Sequence, residues 1–318
     1  MDFLQRSIDG LLEAGPYALI GLGLTLGFGV LRRLNLAYGA GALLAAYLGS
    51  WLHTRLGAPV WMVWLGVMCL SVIVGLYVDA LCFAESDQPA SALQRARQVV
   101  YGADALEVTA LAATFAVWMQ LEQLAVNWQP SHVHPFPDLS STSEWTWNGW
   151  GAWGELTLRP DRVAVWAFTV ALVWSVAVWM TRSRLGLGLR AVASHPAAAH
   201  LSGMSVRRLQ RLGFALACAL GGVAACAVLS VDAQVTPMFG MWILVKGLTV
   251  ALLAGLGRIE RLLLGAAVLG VLESHAQALA GPLAREAVAW VLLLGVLGWQ
   301  ARRSKPGRSE MPSELSHA

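Results

Sequence analysis

The chain has 318 residues, 57% of them hydrophobic and 13% charged, with a formal net charge of +3 and a mean hydropathy of +0.59. In an ordinary soluble domain charged residues alone make up about a quarter of positions, so that class is excluded and a polytopic membrane protein remains. Cys69, Cys82, Cys218 and Cys226 lie in or at the ends of apolar runs, without metal-ligand or disulfide spacing, and read as small buried hydrophobes.

Roughly 20 mostly apolar residues cross a hydrocarbon core about 30 Å thick. Runs of that kind cover residues 15–31, 34–53, 59–82, 99–121, 162–181, 209–231, 239–256, 262–279 and 284–300. They predict an all-α polytopic bundle of eight or nine transmembrane helices. The ambiguity lies at Arg32 and Arg33, where residues 15–53 are either a tight hairpin or a helix broken near 31–39. Met1 to Gly10 carries Asp2 and Asp9 beside Arg6, unlike a cleaved signal peptide, so the first span is expected to be retained. One transmembrane domain over 1–304 is expected, followed by a cytoplasmic tail over 305–318.

Several glycines sit inside the runs. Gly23 and Gly27 stand four apart on one helix face, a spacing that lets neighbouring backbones approach closely in lipid. The longest connection, 122–161, holds Trp128, Trp145, Trp147, Trp150 and Trp153 with Asp138, Glu144 and Glu155. It is read as an external loop, folded down at the headgroup level or presented to an external partner.

The connection 182–210 is the opposite in charge. Arg182, Arg184, Arg190, Arg207 and Arg208, with Arg211 just beyond, place it in the cytoplasm by the positive-inside bias. Alternation then puts Arg32 with Arg33, Arg95 with Arg97, Arg258 with Arg261, and the tail on the same side. A short helix over 194–203 is expected, with Ser194 or His195 as cap, Pro196 at its first position and Gly203 as its stop. Such a helix lying under a membrane protein is a docking surface.

Polar residues at membrane depth are costly unless they face a cavity or a partner, which makes them candidates for a translocation path. Asn35 is either a helix break exposing backbone groups to a pore or a polar turn at the cytoplasmic surface. Lys246, several residues inside its run with Thr249 a turn away, must snorkel, find a carboxylate or face water. Glu273, late in its run beside His275 and Gln277, is either the partner of Lys246 or a solvated helix end, and its position favours the second.

The only lysines are Lys246 and Lys305, and neither sits in a G-x-x-x-x-G-K-[ST] phosphate loop, so any ATP that drives this protein is bound by another subunit. The chain resembles the LivH-type permeases of ATP-binding-cassette importers for branched-chain amino acids, a group that includes urea and amide permeases. The residues carrying the resemblance are Tyr17 to Thr25, Asn35 to Gly39, Arg182 to Gly186 with Arg190 to Ala193, and Pro237, Gly240, Lys246, Ala254 to Gly257, Gly265, Gly270 and Glu273. Departures fall at Tyr38, where the family usually has histidine, at Ser194 and His195, and at Arg258 to Arg261.

The resemblance implies a non-enzymatic, multi-pass permease of the bacterial inner membrane that binds no cofactor of its own. Its implied partners are two cytoplasmic ATPase subunits that carry ATP, a second permease subunit (sister or self), an external binding protein and membrane lipid, with no nucleic acid. Arg182, Arg184, Arg190, Ser194, His195, Pro196 and Gly203 become candidates for ATPase coupling, and Thr25, Asn35, Tyr38, Lys246, Thr249 and Glu273 for the path. The alternatives are a secondary transporter or channel for a small polar solute, and a non-transporting paralogue. The sparse charge within the runs argues against the first of these.

Overall fold

A computed structural model describes residues 2–31, 35–83, 103–130, 133–138, 145–147, 156–255 and 257–303. Helix α1 (Asp2–Leu24) runs into a π-helical turn (Thr25–Val30), and the chain re-enters as α2 (Tyr38–Leu56). Helices α3 (Val60–Cys82) and α4 (Ala103–Trp128) follow, then α5 (Pro160–Arg182), α6 (Arg184–Ser194), α7 (Pro196–Leu201) and α8 (Val206–Asp232). The order ends with α9 (Phe239–Ala254), α10 (Leu262–Ala280) and α11 (Pro282–Arg303). Each apolar run is occupied by one of the long helices. Among the described residues six helical stretches are by themselves long and apolar enough to span a bilayer, and α9 is a shorter apolar helix.

The fold is built around α1, whose most apolar window is 83% buried, against 11% for α11 at the periphery. It packs most extensively on α10, and also on α5, α8 and α9. Glycine makes this possible: a Cβ on Gly10 would stand 2.6 Å from the Gly270 carbonyl oxygen, and one on Gly270 would collide with the Gly10 oxygen. The two backbones therefore touch, as small residues allow where lipid offers no hydrophobic drive for helix association. Gly23 behaves as its spacing predicts, lying against Tyr38 and the Ala217 carbonyl, but Gly27 has nothing within 4 Å and makes no close approach.

Two corrections concern the external connection. Residues 122–128 continue α4, so the loop begins later than its composition indicates. The chain is also not purely helical. His134–Pro135 (β1) pairs antiparallel with Gln234–Val235 (β4), and Trp145–Trp147 (β2) with Leu156–Leu158 (β3). Trp150, Trp153, Glu144 and Glu155 lie outside the described residues, as do Arg32, Arg33, Arg95, Arg97 and the tail 304–318.

Side-chain contacts fix which helix ends share a face. Gln5 donates to the Thr157 carbonyl at 2.8 Å and Ser7 Oγ meets His275 at 3.1 Å, so the start of α1 lies with the β2–β3 hairpin and the end of α10. At the opposite end α5 packs on the short 3-10 turn Ile259–Arg261, and Arg211 Nε pairs with Asp79 Oδ2 at 3.3 Å. Of the basic segments that the charge bias assigns to one side, the elbow and Arg258–Arg261 thus share one end of the bundle.

Candidate functional site

Two features stand out from the packing, a buried ionic core toward the hairpin end and a basic elbow at the other. The core is assembled from five helices. Lys246 Nζ on α9 donates to Glu273 Oε2 on α10 at 2.7 Å and to Tyr17 Oη on α1 at 3.0 Å, and Tyr17 Oη in turn donates to Glu273 Oε2 at 2.8 Å. Arg285, in the first turn of α11, donates to Tyr17 Oη and to Glu13 Oε2, each at 2.9 Å, and its Nε lies 3.5 Å from Glu273 Oε2. Arg162 on α5 pairs with the other oxygen of Glu13 at 3.3 Å.

The Lys246 side chain is 2% exposed and that of Glu273 0%. Desolvating two such charges is expensive, and the remaining protons and lone pairs need their own partners. Tyr17 and Arg285 supply them for one carboxylate oxygen, and two aromatic faces help hold the ammonium, with Nζ 4.7 Å from the Tyr17 ring centroid and 4.6 Å from that of Trp242. Glu273 is therefore the partner of Lys246 and not a solvated helix end. Its position along α10 was the wrong guide, because α1 and α11 cover it.

The core borders two cavities. One, of about 380 Å3, opens between the end of α8, the start of α9 and α11, with Lys246 and Trp242 at its wall and Asp232, Glu286, Met238 and Trp290 around it. The other, of about 110 Å3, is lined by Glu13, Tyr17, Arg162 and Arg285. Asp232 and Trp242 border both, so Trp242 stands as a partition between them, stacked on Phe239 at 6.0 Å and edge-on to Tyr17 at 5.6 Å.

The other path candidates fall elsewhere. Thr249 Oγ1 donates to the Val245 and Ala289 carbonyls, so its hydroxyl is occupied in joining α9 to α11. Thr25 is wholly buried at the start of the π-helical turn, and Asn35 and Tyr38 lie at the re-entry into α2, 4% and 6% exposed. Asn35 is thus inside the bundle and not a surface turn. Its chain continues into a helix whose first residue wedges its hydroxyl against Gly23 and Gly221, well inside α1 and α8.

At the elbow the sequence foretold α7 but not α6. Pro196 begins α7 with His195 at its cap position, though without a side-chain bond, and Gly203 ends the turn at φ +80°. Ser194 Oγ instead donates back to the Ala191 carbonyl at 3.0 Å. Arg184 to Ser194 form a separate helix, capped by Ser183, whose Oγ accepts from Gly186 N at 2.9 Å. The signal for it was present in Ser183 and in the apolar spacing of Leu185, Leu189 and Val192.

Helix α6 buries Gly186, Leu189 and Val192 against the bundle. A Cβ on Gly186 would stand 2.6 Å from Met180 Cα and the Trp179 oxygen, and one on Gly213 would stand 2.9 Å from both Leu189 and Leu31 side chains. The elbow is consequently braced on the ends of α5, α8 and the π-helical turn at once. Arg182, Arg184, Arg190, Ser194 and His195 are exposed, and Leu201 is 88% exposed.

A helical bundle with apolar spans, charge paired inside it and a basic elbow at one end is a multi-pass membrane protein. Residues 7–297 match the family described as branched-chain amino acid transport system / permease component, and the chain belongs to that family. It is 24% identical over 299 residues to the high-affinity branched-chain amino acid transport system permease protein BraD of Pseudomonas aeruginosa, covering 93% of each chain. It is 24% identical over 295 residues to the protein LivH of Salmonella typhimurium, named for the same transport system, covering 93% of this chain and 92% of the relative. Among solved structures, PsaBC from Streptococcus pneumoniae in complex with Fab aligns over 93% of this chain and 91% of that chain, at 13% identity and a TM-score of 0.43, too loose a likeness to argue from.

Proposed function

We propose that the chain is the membrane-spanning subunit of an ATP-driven importer of branched-chain amino acids in the bacterial inner membrane. In this reading it pairs with a second permease subunit and receives cargo from an external binding protein. Two cytoplasmic ATPase subunits bind and hydrolyse ATP, and this chain carries no catalytic step. Family membership and the names of the relatives support the cargo.

The observation that carries the coupling is the bracing of α6. Its buried face, Gly186, Leu189 and Val192, is in contact with the ends of three spanning segments, while Arg182, Arg184 and Arg190 are exposed. A partner that grips α6 and α7 through acidic groups and an apolar seat for Leu201 moves α5, α8 and the end of α1 together. The cavity at Lys246 and Trp242 is the part of the path this reading assigns to the external half, since it is open, charged and bordered by the most constrained polar cluster of the bundle.

The test is reconstitution of the permease into liposomes with its ATPases and binding protein, followed by leucine uptake. Uptake that requires both ATP and the binding protein is expected. Uptake by the permease alone would replace this reading with a secondary transporter or channel.

A further inference from the structure

A third, much smaller cavity lies away from the ionic core, at the break between the π-helical turn and α2. Its volume is about 10 Å3, and Asn35, Ala37, Tyr38, Ser71, Cys218 and Gly221 are among the residues lining it. Asn35 and Ser71 are each 4% exposed, and neither Asn35 Oδ1 nor Ser71 Oγ has a hydrogen-bond partner among the described residues. Buried oxygens left in that condition are rare, because the desolvation they suffer is not returned.

Donors are available beside it. Helix α2 starts here, no side chain at its N-cap Ala37 accepts from the first turn, and the opening N–H groups of a helix have no partner within it. The walls are shaped by glycine: a Cβ on Gly222 would stand 2.7 Å from Ser71 Oγ and one on Gly221 2.7 Å from Tyr38 Oη. A larger residue at Gly221 would press on Tyr38, and one at Gly222 on Ser71.

We infer that this cavity is a binding site for one water molecule, which donates to Asn35 Oδ1 and Ser71 Oγ and accepts from the N–H groups that open α2. The volume is that of a single water and excludes larger ligands. The mixed lining excludes the small ions. A cation would face the positive end of α2, and an anion would lie against the lone pairs of Asn35 Oδ1. Water supplies both donors and acceptors, and it supplies them where lipid has none for a helix that starts inside the bundle. The inference is independent of cargo and of ATPase coupling.

Radiolytic footprinting of the purified full-length protein in nanodiscs tests it, because X-rays convert a bound water into a local oxidant. Tyr38 and Cys218 border the cavity, whereas Cys226 and Tyr47, both 0% exposed, do not. Modification of Tyr38 and Cys218 several-fold faster than of Tyr47 and Cys226 is expected, and equal rates within each residue type would overturn the site. A double-mutant cycle on the melting temperature gives a second readout. Asn35→Ala and Ser71→Ala should each lower it, with a double variant that loses less than the sum because both oxygens share one water. Strict additivity, or a rise on Ser71→Ala as expected for deletion of an orphaned hydroxyl, would contradict the bridge. If either variant fails to fold, the footprinting of the unaltered protein still decides.

Discussion

Lys246 Nζ and Glu273 Oε2 lie 2.7 Å apart with their side chains 2% and 0% exposed, joined by Tyr17 and flanked by Arg285. The pair ties α9 to α10 across the most buried helix of the fold, so its energetics are separable from transport only by comparing single and double changes. Breaking a buried pair from one side costs about 3–5 kcal/mol, whereas replacing both members by apolar residues is often neutral. Lys246→Met should fall below the top of that range, because Arg285 still faces Glu273. Thermal unfolding in detergent is expected to rank Glu273→Gln and Lys246→Met as destabilised and the Lys246→Met/Glu273→Met double variant as nearer the parent. A double variant worse than either single would remove the pairing argument.

Gly23 and Gly27 share a helix face in the sequence yet differ in surroundings. A Cβ at Gly23 collides with Tyr38 Oη and stands 2.9 Å from the Ala217 carbonyl, while Gly27 has open space. Gly23→Ala should therefore lower folded yield and melting temperature, and Gly27→Ala should leave both close to the parent. The two variants behaving alike in a stability assay would mean that the contact of Tyr38 with α1 is not as described.

Gly186→Val places side-chain carbon where Met180 Cα and the Trp179 oxygen already lie, 2.6 Å from the first added atom. Helix α6 must tilt away from α5, while the spans themselves lose no contact. Membrane insertion is expected to persist and substrate-stimulated ATP hydrolysis by the reconstituted complex to fall to the basal rate. Retained stimulation would show that α6 does not transmit motion through its seat on α5.

Met238 is 70% exposed and borders the 380 Å3 cavity. With Met238→Cys in the complex, a bulky cationic thiol reagent applied from outside should slow leucine uptake, and leucine present in excess should slow the modification. Full uptake after complete modification would take the cavity off the path.

Much of this architecture is written in the sequence because span length and charge bias act through local composition. Each apolar run became a helix, Pro196 and Gly203 bound α7 as their backbone preferences require, and the elbow and Arg258–Arg261 share one end. What stayed hidden depends on neighbours distant in sequence. Glu273 looks solvated from its place in α10 and is buried only because α1 and α11 cover it. Arg285, Glu13 and Tyr17 give no local sign that they form one cluster, since Arg285 sits in the first turn of the last helix like an ordinary interfacial cation. The length of α4 and the β-pairings beyond it were likewise invisible, because a tryptophan-rich stretch of mixed polarity has no dominant period.

The central claim is that the elbow formed by α6 and α7 faces the cytoplasm and is held by an ATPase. It is tested most directly with a cysteine at exposed Ala198, on a background in which Cys69, exposed and not buried as its apolar run suggests, is serine. A membrane-impermeant maleimide should leave this cysteine unmodified in intact spheroplasts, modify it in inverted vesicles stripped of ATPase, and react slowly again once the ATPase is restored. Rapid modification from outside intact cells, or reactivity in inverted vesicles that the ATPase leaves unchanged, would contradict the account.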